Sequence, residues 1–142
     1  MFIFNSMKIS TDFDGTLLAS LYLQDRIKDL VIEGKHDIHI VTRRFGVKTY
    51  EKNLFNGIFM ENEHLIVYSI AELLGIKKEN VHFLNREYKV NFLKSNNFDC
   101  HIDDDPTEIF QILNYSNVKA FQIEEDNEIK TVQPFIDFIK TI

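Results

Sequence analysis

Short runs of apolar and β-branched residues alternate along the chain with longer stretches whose apolar positions recur at helical spacing. This is the pattern of βαβ units on a parallel sheet, an α/β fold. Five runs predict strands: Met7 to Asp12, Asp37 to Thr42, Val81 to Leu84, Asp99 to Ile102 and Val118 to Ile123. After the first, Leu21, Ile27, Leu30 and Val31 predict a helix that Gly34 stops. Lys48 to Phe55 predicts a short helix or loop, Ile66 to Leu74 a helix ended by Gly75, and Tyr88 to Ser95 another helix. Asp105, Pro106 and Glu108 make a helix start, with Asp105 as N-cap, Pro106 in the first helical position and Glu108 as the capping-box partner. The acidic loop Glu124 to Asp126 leads to a closing helix expected to begin near Pro134. No repeat or low-complexity tract interrupts the series, and 142 residues predict one domain.

Composition narrows the classes. A net charge of −6, from 16 Lys and Arg against 22 Asp and Glu, argues against a general nucleic-acid surface or an anionic-membrane binder. The opening residues, Met1 to Ser6, have no basic flank and too short an apolar run for a signal peptide or a span. Either Met7 is an alternative start or Met1 to Ser6 extend the first strand. Cys100 is the only cysteine, so no intramolecular disulfide forms, and the expected location is the cytoplasm. Cys100 and the 13 phenylalanines, scattered and without a basic stripe, are expected in the core.

The chemistry concentrates at Asp12-Phe13-Asp14-Gly15-Thr16. In an extended segment alternate side chains share a face, so Asp12 and Asp14 would lie together if the strand ran on, while Gly15 permits a sharp turn. Carboxylates held that close repel, which calls for a proton or a cation between them. Parallel sheets present reactive groups at the carboxyl ends of their strands. Thr42 follows the second strand with Arg43 beside it, Asp103 and Asp104 follow the fourth, and Lys89 opens the helix before the fourth. The five histidines, His36, His39, His64, His82 and His101, show no metal-ligand spacing and are expected on strand faces or the surface.

These residues resemble, in order, the four motifs of the haloacid dehalogenase-like hydrolases: Asp12 to Thr16, Ile38 to Thr42, Lys89, and His101 to Pro106. The resemblance spans about residues 7 to 125 and implies a three-layer, Rossmann-like sheet of five parallel strands in the order 5-4-1-2-3. It implies a Mg²⁺-dependent phosphatase in which Asp12 is the nucleophile, forming an aspartyl-phosphate, and Asp14 the general acid and base. Mg²⁺ would be held by Asp12, by the backbone carbonyl of Asp14 and by the fourth motif, with Asp104 the direct ligand and Asp103 a step behind, or the reverse. Thr42 and Lys89 would bind phosphoryl oxygens, and Arg43 is a further candidate for the substrate. Relatives commonly insert a cap after the first motif or after the third strand. Here the connections Thr16 to Ser20 and Asn85 to Tyr88 are too short, so the site is expected to be uncapped and suited to a large phosphorylated substrate unless a partner subunit covers it. An uncovered apolar rim around Phe13 and Phe45 would favour a homo-oligomer.

Three other readings stand beside the phosphatase. Ile102 to Pro106 is similar to the fourth motif of deoxyribonucleotidases, suggesting a 5′-nucleotidase-like member. A non-catalytic phosphate- or metal-sensing module would keep the fold without turnover. A response-regulator receiver domain also clusters aspartates, threonine and lysine, but needs a phosphoacceptor aspartate after the third strand, where this chain has Leu84-Asn85-Arg86.

Overall fold

The computed structural model describes residues 6–141. Five parallel strands form one sheet: β1 (Lys8–Thr11), β2 (Asp37–Thr42), β3 (Val81–Phe83), β4 (Cys100–Asp103) and β5 (Lys119–Gln122). Their order is β3-β2-β1-β4-β5, the expected arrangement. Six α-helices accompany them: α1 (Leu21–Glu33), α2 (Val47–Phe55), α3 (Leu65–Leu74), α4 (Val90–Ser95), α5 (Pro106–Tyr115) and α6 (Glu128–Ile139). No cap-sized fold stands in the connections β1–α1 or β3–α4 among the described residues. The proposed extension of the first strand through Met1 to Asn5 lies outside the described residues; Ser6 and Met7 precede β1.

The period-two alternation of the strands divides the interior into two unlike faces. Ile9, Ile38, Ile40, Cys100 and Ile102 pack against Leu23 and Ile27 of α1, Val67 of α3 and Phe135 of α6, an apolar layer with no charge in it. The alternate positions face α4 and α5, where Val41, Leu93, Phe98 and Ile112 pack together. Here three polar residues lie in register across the sheet, with Ser10 opposite both His39 and His101. His39 and His82 approach to 2.8 Å between Nδ1 and Nε2, and Asp37 lies 2.8 Å from His39 on its other side.

Several boundaries move. β1 ends at Thr11, so Asp12 is the first residue past the strand, although its N–H still donates to Ile102 O at 2.9 Å. β4 starts and ends one residue later than expected, which brings Asp103 into the strand and onto the same face as His101. The closing helix begins at Glu128, six positions before Pro134, which sits inside it. Val132, Phe135, Ile136 and Ile139 bury one face of that helix and outweigh the hydrogen bond a proline forgoes. The phenylalanine expectation holds for Phe13, Phe98 and Phe135, but Phe55 and Phe59 are 91% and 88% exposed. The apolar rim around Phe13 is absent, since Phe13 is fully buried beneath the Arg44 guanidinium. None of the helices searched is long and apolar enough to cross a membrane.

Candidate active site

At the carboxyl ends of β1 and β4 the chain opens a cleft of about 410 Å³ lined by side chains from both motifs of aspartates, with Arg43, Lys89, Pro106 and Glu108. Its shape follows from Gly15. The backbone after Asp12 turns at once, with Asp14 extended and Gly15 at φ +70°, so Asp12 and Asp14 do not share a strand face. A Cβ on Gly15 would overlap the Asp104 carboxylate, with Cγ only 2.6 Å away, so the missing side chain lets Asp104 lie over the turn. The Thr16 hydroxyl faces both acids, 3.0 Å from Asp12 Oδ2 and 3.1 Å from Asp104 Oδ1.

Asp12 is buried, and Lys89 Nζ donates to its Oδ1 at 2.6 Å. The same ammonium donates to Asp103 Oδ2 at 2.6 Å, and Lys89 itself is buried. Asp103 is further held by His101 Nε2 at 2.8 Å and by the Asp105 N–H at 3.1 Å. Burial would raise Asp103, but the bonds from His101 and the charge of Lys89 more than offset it and hold the carboxyl well below its usual range. Asp12 goes the other way: burial raises it, and the neighbouring Asp103 adds to the rise that Lys89 opposes. Lys89 is raised despite burial, because two carboxylates favour its charged form.

Asp12, Asp103 and Asp104 offer one oxygen each within 4.8 Å of one another. Three carboxylates face one ammonium, an arrangement short of positive charge, and the donors are all hard oxygen, which suits Mg²⁺. Within this set Asp103 already accepts three hydrogen bonds, whereas Asp104 accepts only the Thr16 hydroxyl. Of the two, Asp104 has the freer carboxylate for a cation, while Asp103 anchors Lys89.

Of the other expected residues, Asp14 and Arg43 fall at the rim and Thr42 lies outside the cleft. Asp14 lines the cleft with its side chain 53% exposed, and Arg44 grips its carboxylate through Nη2 at 2.7 Å and Nε at 2.9 Å. Arg44 also donates to Glu63 O at 2.9 Å, and the bonds from Asp14 raise the Arg44 guanidinium above its usual value. Arg43 lines the cleft as well, donating twice to Arg86 O and stacking over Tyr88 at 4.5 Å. Thr42 ends β2, fully buried, with its hydroxyl accepting the Arg44 N–H at 3.3 Å; it is not among the residues lining the cleft.

Glu108 overturns the capping-box reading. Asp105 does cap α5, accepting the Thr107 N–H at 2.9 Å, but its own N–H goes to Asp103. Glu108 turns instead across the cleft floor, where Oε2 accepts the Lys89 N–H at 3.1 Å and Oε1, 3.9 Å from Arg43 Nε, has no hydrogen-bond partner. Burial raises its carboxyl. Sequence reasoning gave no role in the site to Thr16, Ser10 or His101. Thr16 stood inside the quoted motif. His101 stood inside the fourth motif, and the register of β1 against β4 gives away Ser10 as its partner.

No protein-family model matches the chain, and no curated protein matches it.

Proposed function

We propose that this protein is a Mg²⁺-dependent phosphatase of the haloacid dehalogenase-like type, with Asp12 as the nucleophile. The observation that carries the reading is the buried Asp12 carboxylate, hydrogen-bonded to Lys89 on one oxygen and to Thr16 on the other, beside Asp104 at the mouth of an open cleft. Both its oxygens are oriented before any substrate arrives, as a nucleophile for in-line attack requires.

In the reaction, Asp12 forms a bond to phosphorus as the bond to the leaving oxygen breaks, giving an acyl phosphate. Asp14, in its acid form, supplies the proton to the leaving oxygen; as carboxylate it then accepts a proton from the water that attacks phosphorus and returns Asp12. For that work the Asp14 carboxyl must exchange Arg44 for the substrate, a rotation its exposure at the rim permits. Lys89 offsets negative charge on the incoming phosphoryl group and keeps Asp12 oriented. Asp12, Asp104 and the Asp14 carbonyl would hold Mg²⁺, whose charge would offset the repulsion between the Asp12 carboxylate and the phosphate. Arg43 and the exposed Tyr88 flank the way out, where a large leaving group has room because no cap covers the cleft among the described residues.

The test is hydrolysis of p-nitrophenyl phosphate with and without Mg²⁺, by the wild type and by Asp12→Asn. Mg²⁺-dependent turnover that Asp12→Asn abolishes is expected; unchanged turnover in Asp12→Asn would refute the assignment.

A further inference from the structure

Beneath the cleft, on the face of the sheet covered by α4 and α5, runs a chain of hydrogen bonds that the chemistry above does not use. Ser10 of β1 and His101 of β4 are paired in register, and Ser10 Oγ lies 2.6 Å from His101 Nδ1. Two residues further along β4, on the same face, Asp103 Oδ2 lies 2.8 Å from His101 Nε2. The same oxygen accepts Lys89 Nζ, which continues to Asp12. Ser10, His101 and Asp103 are all fully buried.

A serine, a histidine and an aspartate in that order suggest nucleophilic chemistry, but Ser10 has no exposure to a substrate and the arrangement has no access to solvent. Its polarity still demands an explanation. Burying an imidazole and a hydroxyl costs free energy that apolar residues at the same positions would not, and neighbouring Ile9, Cys100 and Ile102 show that these strands accept apolar side chains. The directions of the bonds supply the explanation. A neutral imidazole has one N–H, and the carboxylate can only accept, so Nε2 donates to Asp103 and Nδ1 accepts the Ser10 hydroxyl. The carboxylate thus fixes the tautomer, and the Ser10 hydroxyl, 2.6 Å from Nδ1, meets the nitrogen left without a proton.

We infer that Ser10 and His101 are positioning residues for Lys89: by meeting part of the hydrogen-bonding demand of Asp103, they leave the Lys89 ammonium shared evenly with Asp12. With that donor removed, Asp103 draws Lys89 toward itself and away from Asp12. The effect on turnover rests on the phosphatase reading; the effect on Lys89 does not.

Two amide substitutions separate positioning from packing. In His101→Gln the side-chain amide nitrogen reaches about as far as Nε2 and can still donate to Asp103. In His101→Asn the amide stops near the place of Nδ1 and cannot. The ¹⁵Nζ resonance of Lys89, assigned by its loss in Lys89→Met, should move in His101→Asn and return toward wild type in His101→Gln. With p-nitrophenyl phosphate and Mg²⁺, kcat should fall about tenfold or more in His101→Asn with KM within about twofold, and His101→Gln should recover most of it. If His101→Asn does not fold, Ser10→Ala, which removes the partner of Nδ1 and so loosens the imidazole, should move the same resonance by a smaller amount. A Lys89 resonance unmoved in the folded variants, or equal losses of kcat in Asn and Gln, would overturn the inference. If the wild type shows no phosphatase activity, the resonance alone decides it, so failure of the function and failure of the positioning role stay distinct.

Discussion

Asp12 and Asp14 are two residues apart in sequence and belong to different regimes of electrostatics. Asp12 is buried, held on both oxygens by short side chains or by a lysine that is itself immobilised between two carboxylates. Asp14 is half exposed and held by Arg44, a long side chain at the rim that also spans to Glu63. Around Asp12 burial lowers the local dielectric, so each bond there is strong and its loss costly. Around Asp14 solvent screens the pair and the arginine has other partners, so the bond is easily exchanged. The contrast matches the two tasks proposed for them. A nucleophile gains from fixed orientation, whereas a group that moves a proton twice gains from freedom to turn.

Substitutions at the two sites should therefore differ sharply in cost. Lys89→Met should have the largest effect, about 3–5 kcal/mol of folding stability, because it leaves Asp12 and Asp103 buried without their cation. Equilibrium urea unfolding measures it, and a loss below about 1 kcal/mol would put the interior cluster in the same class as the rim. Gly15→Ala comes next. It strains a positive φ and pushes on Asp104, so it should cost about 1–3 kcal/mol and reduce the rise in melting temperature that Mg²⁺ produces in the wild type. If Mg²⁺ stabilises Gly15→Ala as much as the wild type, Asp104 is not the ligand.

Acid should also tell the interior from the rim. Burial and the adjoining His39 lower His82 from 6.5 to about 4, so on acidification the unfolded chain takes up this proton first. Stability is then lost as the pH falls from about 6.5 toward 4, and His101, lowered by burial, adds a loss of the same sign. Urea midpoints at neutral and mildly acidic pH should show a smaller drop in His82→Phe than in the wild type, while Arg44→Ala leaves the drop unchanged. The smallest effect belongs to the rim itself. Arg44→Ala should alter stability by about 1 kcal/mol or less, and that change should shrink further at high salt.

What could be read from the sequence follows the same division. Most elements were legible because apolar periodicity is a local signal, and Asp12, Asp14, Lys89, Asp103 and Asp104 because each stands at the edge of such a run, whereas the sheet order came from the resemblance of the four motifs and not from periodicity. The start of α6 was not, since Pro134 reads as a helix start when the apolar face formed with Val132 and Phe135 is out of view. Glu108 was misread for a related reason. Its spacing from Asp105 satisfies a local capping rule, while its observed partner, the Lys89 N–H, is 19 positions away. Arg43 and Arg44 look alike in sequence; only the turn after Thr42 decides that Arg43 lines the cleft while Arg44 takes Asp14. The pairing of Ser10 with His101 required the register of β1 against β4, which no single strand contains.

The central claim is that Asp12 carries the phosphoryl group, and it is tested most directly by acid-quenching the enzyme with substrate and Mg²⁺ and analysing its peptides by mass spectrometry. The account predicts one added phosphoryl group on the peptide containing Asp12, absent from Asp12→Asn and absent without Mg²⁺. A phosphoryl group on any other residue, or full turnover by Asp12→Asn, would contradict it.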